Sequence, residues 1–121
     1  MANLLDTHII LWFLNGEKLS RQMVDCIQNA RQNYISIASL WEIAIKMNIG
    51  KYTFEGGFPQ LIALIRHNKF EILPIKNQYI DKLFTLPLIH KDPFDRMIIA
   101  TAVAEKLNLI TADENILKYP I

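Results

Sequence analysis

The chain has 121 residues, 51% of them hydrophobic and 21% charged, with 13 basic against 12 acidic side chains and a net charge of +1. That length suits one ordinary domain, and the near-balance of charge excludes a global field that would by itself collect nucleic acid. A lone Cys26 excludes a disulfide framework and any multi-cysteine metal site, and no apolar run approaches the roughly 18–20 residues of a membrane span.

Asp6 interrupts the N-terminus before a signal-peptide core forms, so a soluble, cytoplasmic protein is expected, with Cys26 in its core. Ala2 to Leu5 reads as a buried strand ending at Asp6-Thr7, and the dense apolar pattern of Ile9 to Leu14 reads as a helical turn. Asn15-Gly16 breaks it. Ser20 caps a second helix through Asn29, with Met23, Val24 and Ile27 on one face. Tyr34 to Ile37 is the next strand. Ser39, with Glu42 three residues later, forms a capping box that opens a helix to about Ile49, stopped by Gly50.

Beyond the Gly56-Gly57 loop, Phe58 to Asn68 repeats the helical spacing, Phe70 to Ile75 is a third strand, and Lys76 to Leu86 is a further helix. Asp92 fits an N-cap and Pro93 the first helical position, which places Asp95 in the first turn of a helix running to about Leu107. Ala100, Ala102 and Ala104 give that helix small residues for close packing. Asn108 to Thr111 is the last clear strand, followed by Ala112-Asp113 and a short helix or turn over Glu114 to Lys118. Strands alternating with helices predict one α/β domain, residues 1–121, with a mainly parallel sheet covered on both sides.

Ligands of such sheets bind outside the carboxyl ends of the strands. Four acids fall there: Asp6 ends the first strand, Glu42 and Asp95 sit in first turns of helices, and Asp113 follows the last strand. Each has a local explanation, since Asp and Glu commonly cap helices and close turns. Converged on one edge, they would repel; two carboxylates 4 Å apart cost on the order of 4 kcal/mol at an effective dielectric near 20. An oxygen-only donor set of this kind selects a hard cation, Mg2+ or Mn2+. On pattern alone, caps and metal site stay equally open.

In order and spacing, Leu4-Leu5-Asp6-Thr7-His8, Ser39-Leu40-Trp41-Glu42, His90-Lys91-Asp92-Pro93-Phe94-Asp95-Arg96 and Thr111-Ala112-Asp113 resemble the PIN-domain nucleases, and within them the VapC-like toxins of bacterial toxin–antitoxin pairs. The resemblance covers essentially the whole chain. It implies a three-layer α/β/α sandwich with a four- to five-stranded sheet, and a Mg2+- or Mn2+-dependent ribonuclease whose catalytic and metal-binding acids fall on Asp6, Glu42, Asp95 and Asp113. It also implies an RNA substrate, a cognate antitoxin and a homodimer, with cut ends carrying 5′-phosphate and 3′-hydroxyl. The chain stops soon after Tyr119, where relatives often continue, which leaves a fifth strand open.

Around the acids, Thr7, Ser39 and Thr111 are placed to hydrogen-bond them, with capping an equal alternative. Lys46 either pairs with Glu42 one turn away or meets substrate phosphate; Arg96 either meets phosphate or makes a structural ion pair. For His90 a loop hydrogen bond is favoured over a general-acid role, and for Trp12 and Trp41 a core or interface position over base stacking. A receiver-type phosphoacceptor needs adjacent acids after the first strand, and Asp6 stands alone there. An inactive binding module of the same fold is the other alternative, against which the presence of all four acids weighs.

Overall fold

The structure, a computed structural model, describes residues 2–16 and 19–120. The chain runs β1 (Ala2–Leu5), α1 (Thr7–Asn15), α2 (Arg21–Gln28), β2 (Gln32–Ser36), α3 (Ile37–Asn48), α4 (Gly57–His67), β3 (Glu71–Leu73), α5 (Asn77–Thr85), α6 (Pro93–Glu105), β4 (Asn108–Ile110) and α7 (Glu114–Leu117). The described strands form one four-stranded sheet in the order β3-β2-β1-β4, all pairs parallel. No fifth strand occurs among the described residues.

Period-two alternation along each strand builds the two layers that cover the sheet. Leu5, Ile35, Ile110 and Ile72 point to one face, where they meet Ile9 and Ile10 of α1, Ile27 of α2, Ile43 of α3, and Leu61 and Ile65 of α4. Their neighbours Leu4, Tyr34, Leu109 and Leu73 point to the other, against Ile98 and Ala102 of α6. A smaller cluster of Ile99, Ile116 and Tyr119 closes that side toward the C-terminus. The α/β/α sandwich expected from the alternation is therefore present.

Three local expectations are corrected. First, α3 begins at Ile37 and is capped by Ser36, whose hydroxyl accepts the Ala38 amide at 3.0 Å. Ser39 is thus the third helical residue, the capping box with Glu42 does not form, and Glu42 lies in the second turn. The parallel pairing of β2 with β3 ends at Ser36 opposite Leu73, so the strand stops one residue earlier than its β-branched run suggests. Second, no turn separates β1 from α1: Asp6 itself is the N-cap, and the helix starts at Thr7. Third, α6 stops at Glu105, because Lys106 adopts the left-handed conformation (φ 55°) and its amide closes onto the Ala102 and Val103 carbonyls. The remaining elements fall within two residues of their expected limits, β3 covering the middle of its predicted run and β2 starting two residues early.

The strand order changes direction at β1: the chain goes from β1 to β2 and β3 on one side and returns to β4 on the other. A crevice opens at such a reversal, beyond the carboxyl ends of the two strands concerned. Asp6 follows β1, and Thr111 and Asp113 follow β4.

Candidate active site

Asp6 is 3% exposed and sits at the crevice because β1 ends under it. One carboxylate oxygen accepts the His8 amide at 3.3 Å as the cap of α1, and the other accepts the Thr111 hydroxyl at 2.6 Å. Thr111 in turn accepts the Asp113 amide at 3.0 Å, so one hydroxyl ties the end of β1 to the end of β4. Burial raises the Asp6 pKa, the Thr111 hydrogen bond and the His8 amide and charge oppose it, and the Asp113 charge adds to the rise.

Glu42 is 4% exposed, a level at which a carboxylate needs partners. Its two oxygens accept the Thr7 hydroxyl at 2.9 Å and the Lys46 ammonium at 2.8 Å. Thr7 also lies 3.0 Å from the Ser39 hydroxyl, joining the first turns of α1 and α3. The i,i+4 pair uses Lys46, whose pKa is raised chiefly by its hydrogen bond to Glu42.

Asp95 enters from α6. Asp92 caps that helix by accepting the Asp95 amide at 3.0 Å, which leaves the Asp95 carboxyl free to face the crevice. Its pKa is pushed up to about 7, by burial first and then by the charges of Asp92, Asp6 and Glu42, against a smaller opposing effect of His90. Asp113 caps α7 through the Asn115 and Ile116 amides; burial raises its pKa, but those amides and His90 outweigh it and the net shift is downward.

His90 stands among these acids, with Nε2 3.0 Å from Asp95 Oδ2 and 3.3 Å from Asp113 Oδ2. Its Nδ1 accepts the Asp92 amide at 3.1 Å, which fixes the tautomer: the proton is on Nε2, and the ring donates to the carboxylates. His90, Asp95 and Asp113 have the spacing of a cation site, with their ligand atoms within 4.8 Å of one another. The imidazole is nevertheless a poor ligand in this setting, because metal binding through Nε2 would require the proton to move to Nδ1, against the Asp92 amide. The carboxylates are the better donors. The local hydrogen bond expected of His90 is present, yet the same ring also joins two acids 18 residues apart in the chain.

Arg96 makes no ion pair with a carboxylate among the described residues. Its guanidinium donates to the Pro87, His90 and Leu83 carbonyls and to the Tyr119 hydroxyl. The same hydroxyl accepts the Ile89 and His90 amides at 3.2 and 2.7 Å, so Arg96 and Tyr119 together pin the loop that carries His90. Tyr119 is 3% exposed. Replacement of Tyr119 by Phe removes the shared acceptor from partly buried donors and is expected to cost about 0.5–1.5 kcal/mol. Guanidinium unfolding should show a lower midpoint at unchanged slope, and an unchanged midpoint would mean that the loop does not depend on this contact.

Trp41, expected in the core or an interface, is 59% exposed and forms a T-shaped pair with Phe94, at 5.1 Å between ring centroids. The core half of that expectation fails because Trp41 faces away from the sheet on α3, one residue before buried Glu42. Trp12 is half-buried on α1, and Cys26 is half-buried at the edge of the core.

The carboxylates of Asp6, Glu42, Asp92 and Asp95 interact through their charges, yet among the described residues the groups in contact with the acids of this crevice are the Lys46 ammonium and the His90 Nε2–H donor. Negative charge in excess of its partners, supplied by oxygen donors, fits a hard divalent cation. Asp95 and Asp113 stand at cation-site spacing, and Asp6 meets both through its charge.

In comparison with known families, the model of the PIN domain matches residues 4–121. No curated protein matches the sequence. Among solved structures, VapBC2 from Rickettsia felis bound to a DNA fragment from its promoter is similar at a TM-score of 0.74 and 18% identity, over 99% of this chain and 94% of that one. A toxin–antitoxin complex from Klebsiella pneumoniae is similar at a TM-score of 0.64 and 23% identity, over 98% and 92% of the two chains.

Proposed function

Since the chain belongs to the PIN-domain family, we propose that it is a Mg2+- or Mn2+-dependent endoribonuclease, the toxin of a toxin–antitoxin pair, formed by a single domain over residues 1–121. One observation carries the reading: the Asp95 carboxyl, with only the His90 ring beside it at 3.0 Å among the described residues, is raised to about 7 by burial and by the charges of Asp92, Asp6 and Glu42, a repulsion that an added cation would relieve.

When bound, the divalent ion supplies a water of lowered pKa and screens the approaching phosphodiester. The chain's own residues do the rest. Asp6, Asp95 and Asp113 would hold the ion; the Thr111 hydroxyl orients Asp6, and the His90 Nε2–H joins Asp95 to Asp113. Glu42, gripped by Thr7 and Lys46, adds charge to the same crevice, and the orienting of water is the role proposed for it. Arg96 acts on the loop rather than on phosphate, given its bonds to Pro87 and His90 of that loop and to Leu83 and Tyr119 on either side of it.

A protein partner is supported by the two toxin–antitoxin complexes of the same fold and by Ile37, Trp41 and Ile45, 40–59% exposed at i+4 spacing on α3. An antitoxin segment and a second copy of the chain are the occupants proposed for such surface. No helix among the described residues is long and apolar enough to cross a membrane, and the cytoplasm is the proposed location.

The site is tested by metal titration. The ion needs Asp95 ionised, so below about pH 7 its binding must first remove a proton from that carboxyl. Thermal stabilisation by Mn2+ is expected to be large at pH 8 and small at pH 6, and lost in Asp6→Asn. No stabilisation at either pH would contradict the metal site.

A further inference from the structure

Hydrogen bonds on the crevice carboxylates decide how many oxygens each can offer to a ligand. An ionised carboxylate has about four lone-pair sites, two on each oxygen. Asp113 Oδ1 accepts two amides at the start of α7, from Asn115 at 2.8 Å and Ile116 at 3.4 Å, so Oδ2 is the oxygen left to it. Asp6 carries one bond on each oxygen, from the His8 amide and the Thr111 hydroxyl. Asp95 differs: its Oδ1 accepts no hydrogen bond among the described residues, while Oδ2 lies 3.0 Å from His90 Nε2.

The His90 ring is held where it stands. Its Nδ1 accepts the Asp92 amide at 3.1 Å, and the same Nε2–H reaches Asp113 Oδ2 at 3.3 Å. The His90 backbone is held independently of the ring, its amide donating to the Tyr119 hydroxyl at 2.7 Å and its carbonyl accepting from Arg96 at 3.4 Å.

We infer that His90 keeps Asp95 a one-oxygen ligand, and that it thereby makes the crevice select a small six-coordinate cation, Mg2+ or Mn2+, against Ca2+. This rests on the metal-dependent reading above and adds to it the choice of ion.

The two classes of ion differ in what they ask of a carboxylate. Mg2+ takes about six oxygens at about 2.0–2.1 Å, keeps several waters and is satisfied by single carboxylate oxygens. Ca2+ takes about six to eight at about 2.3–2.6 Å and commonly gathers them by holding both oxygens of one carboxylate. Such chelation needs both oxygens turned to the ion. Asp113 is denied it by its two amides, and Asp95 by the ring on Oδ2. Removal of the ring returns a second oxygen to Asp95, which Ca2+ uses and Mg2+ does not need. Selectivity is the difference of the two affinities, so His90 acts on it without touching the ion.

The test measures Mn2+ binding to the purified, metal-free chain at pH 8 through the paramagnetic signal of the free ion, and Ca2+ binding by competition. The native protein should favour Mn2+. His90→Ala should lower the ratio of the Ca2+ to the Mn2+ dissociation constant by about tenfold or more, the size typical of losing a partner of a metal ligand. Two further variants separate the ring nitrogens: a glutamine amide reaches the place of Nε2–H, and an asparagine oxygen that of Nδ1. His90→Gln should therefore keep the native ratio, and His90→Asn should lower it as alanine does. Circular dichroism of the variants should match that of the native chain, since the loop is held through the backbone.

A ratio lowered in His90→Gln as far as in His90→Ala overturns the inference, as does a native ratio in His90→Asn, which would make the ring a support of the Asp92 turn. A native preference for Mn2+ that His90→Ala leaves unchanged defeats the inference and spares the metal-dependent reading. Binding of neither ion by the native chain defeats both.

Discussion

Asp95→Asn is expected to abolish metal-dependent cleavage of RNA while the protein stays folded and, without metal, becomes more stable above neutral pH. Removing a group that merely supports a metal ligand typically costs about 10–100-fold, so loss of a direct ligand should exceed about 100-fold. The fold survives because Asp95 is not the cap: Asp92 holds the helix start, and an asparagine oxygen can still accept from His90 Nε2. A carboxylate in a first turn gains roughly 0.3–1 kcal/mol from the helix dipole. Burial and the charges of Asp92, Asp6 and Glu42 outweigh that gain, since the net pKa shift is upward, to about 7.

The sign of the stability effect follows. Between the unfolded value of 3.8 and about 7, the folded protein holds a proton that the unfolded chain has released, so stability falls as pH rises through that window. The penalty is fully present above about pH 7 and absent well below 3.8. Asparagine removes it. Melting of the two proteins without metal should therefore coincide at low pH and diverge in favour of the variant at pH 8, and a variant less stable at pH 8 would contradict the burial argument.

Ile98→Ala should be the most damaging single truncation in the α6 layer. Ile98 is fully buried, packed on Leu4 of β1 and Ala102 of its own helix, with Tyr34, Leu73, Leu107 and Leu109 around them. Leu4 belongs to a strand paired on both sides, so the hole cannot close by movement of the sheet. The expected cost is in the upper half of the usual 2–5 kcal/mol, and the melting temperature should fall by about 10 °C or more. Leu88→Ala, at a residue 73% exposed, should stay within about 0.5 kcal/mol and serves as the comparison. A cost below about 1 kcal/mol for Ile98→Ala would mean that α6 does not rest on β1, and with it would go the placement of Asp95.

What could be read in the chain and what could not divide along physical lines. Alternation of Leu4 with Leu5 and the Asp92-Pro93 helix start are local signals, and the layers and the placement of Asp95 followed from them. Ser39 misled because Ser-x-x-Glu has the same spacing whether or not the serine is the cap; the choice fell to Ser36, where pairing with β3 ends. The position of His90 between Asp95 and Asp113 depends on a loop fixed by Tyr119, 29 residues later in the chain, and no local pattern carries that. Arg96 follows Asp95 in sequence, but successive helical residues point in different directions, and it serves the loop.

Hydrolysis by a metal-activated water and attack by the RNA's own 2′-hydroxyl leave different ends. The most direct measurement is therefore to incubate the purified native chain with cellular RNA and Mn2+ and determine the chemistry of the new termini. The proposed function predicts 5′-phosphate and 3′-hydroxyl ends that vanish with chelator and in Asp95→Asn. Cyclic phosphate ends, or cleavage that survives the chelator, would contradict it.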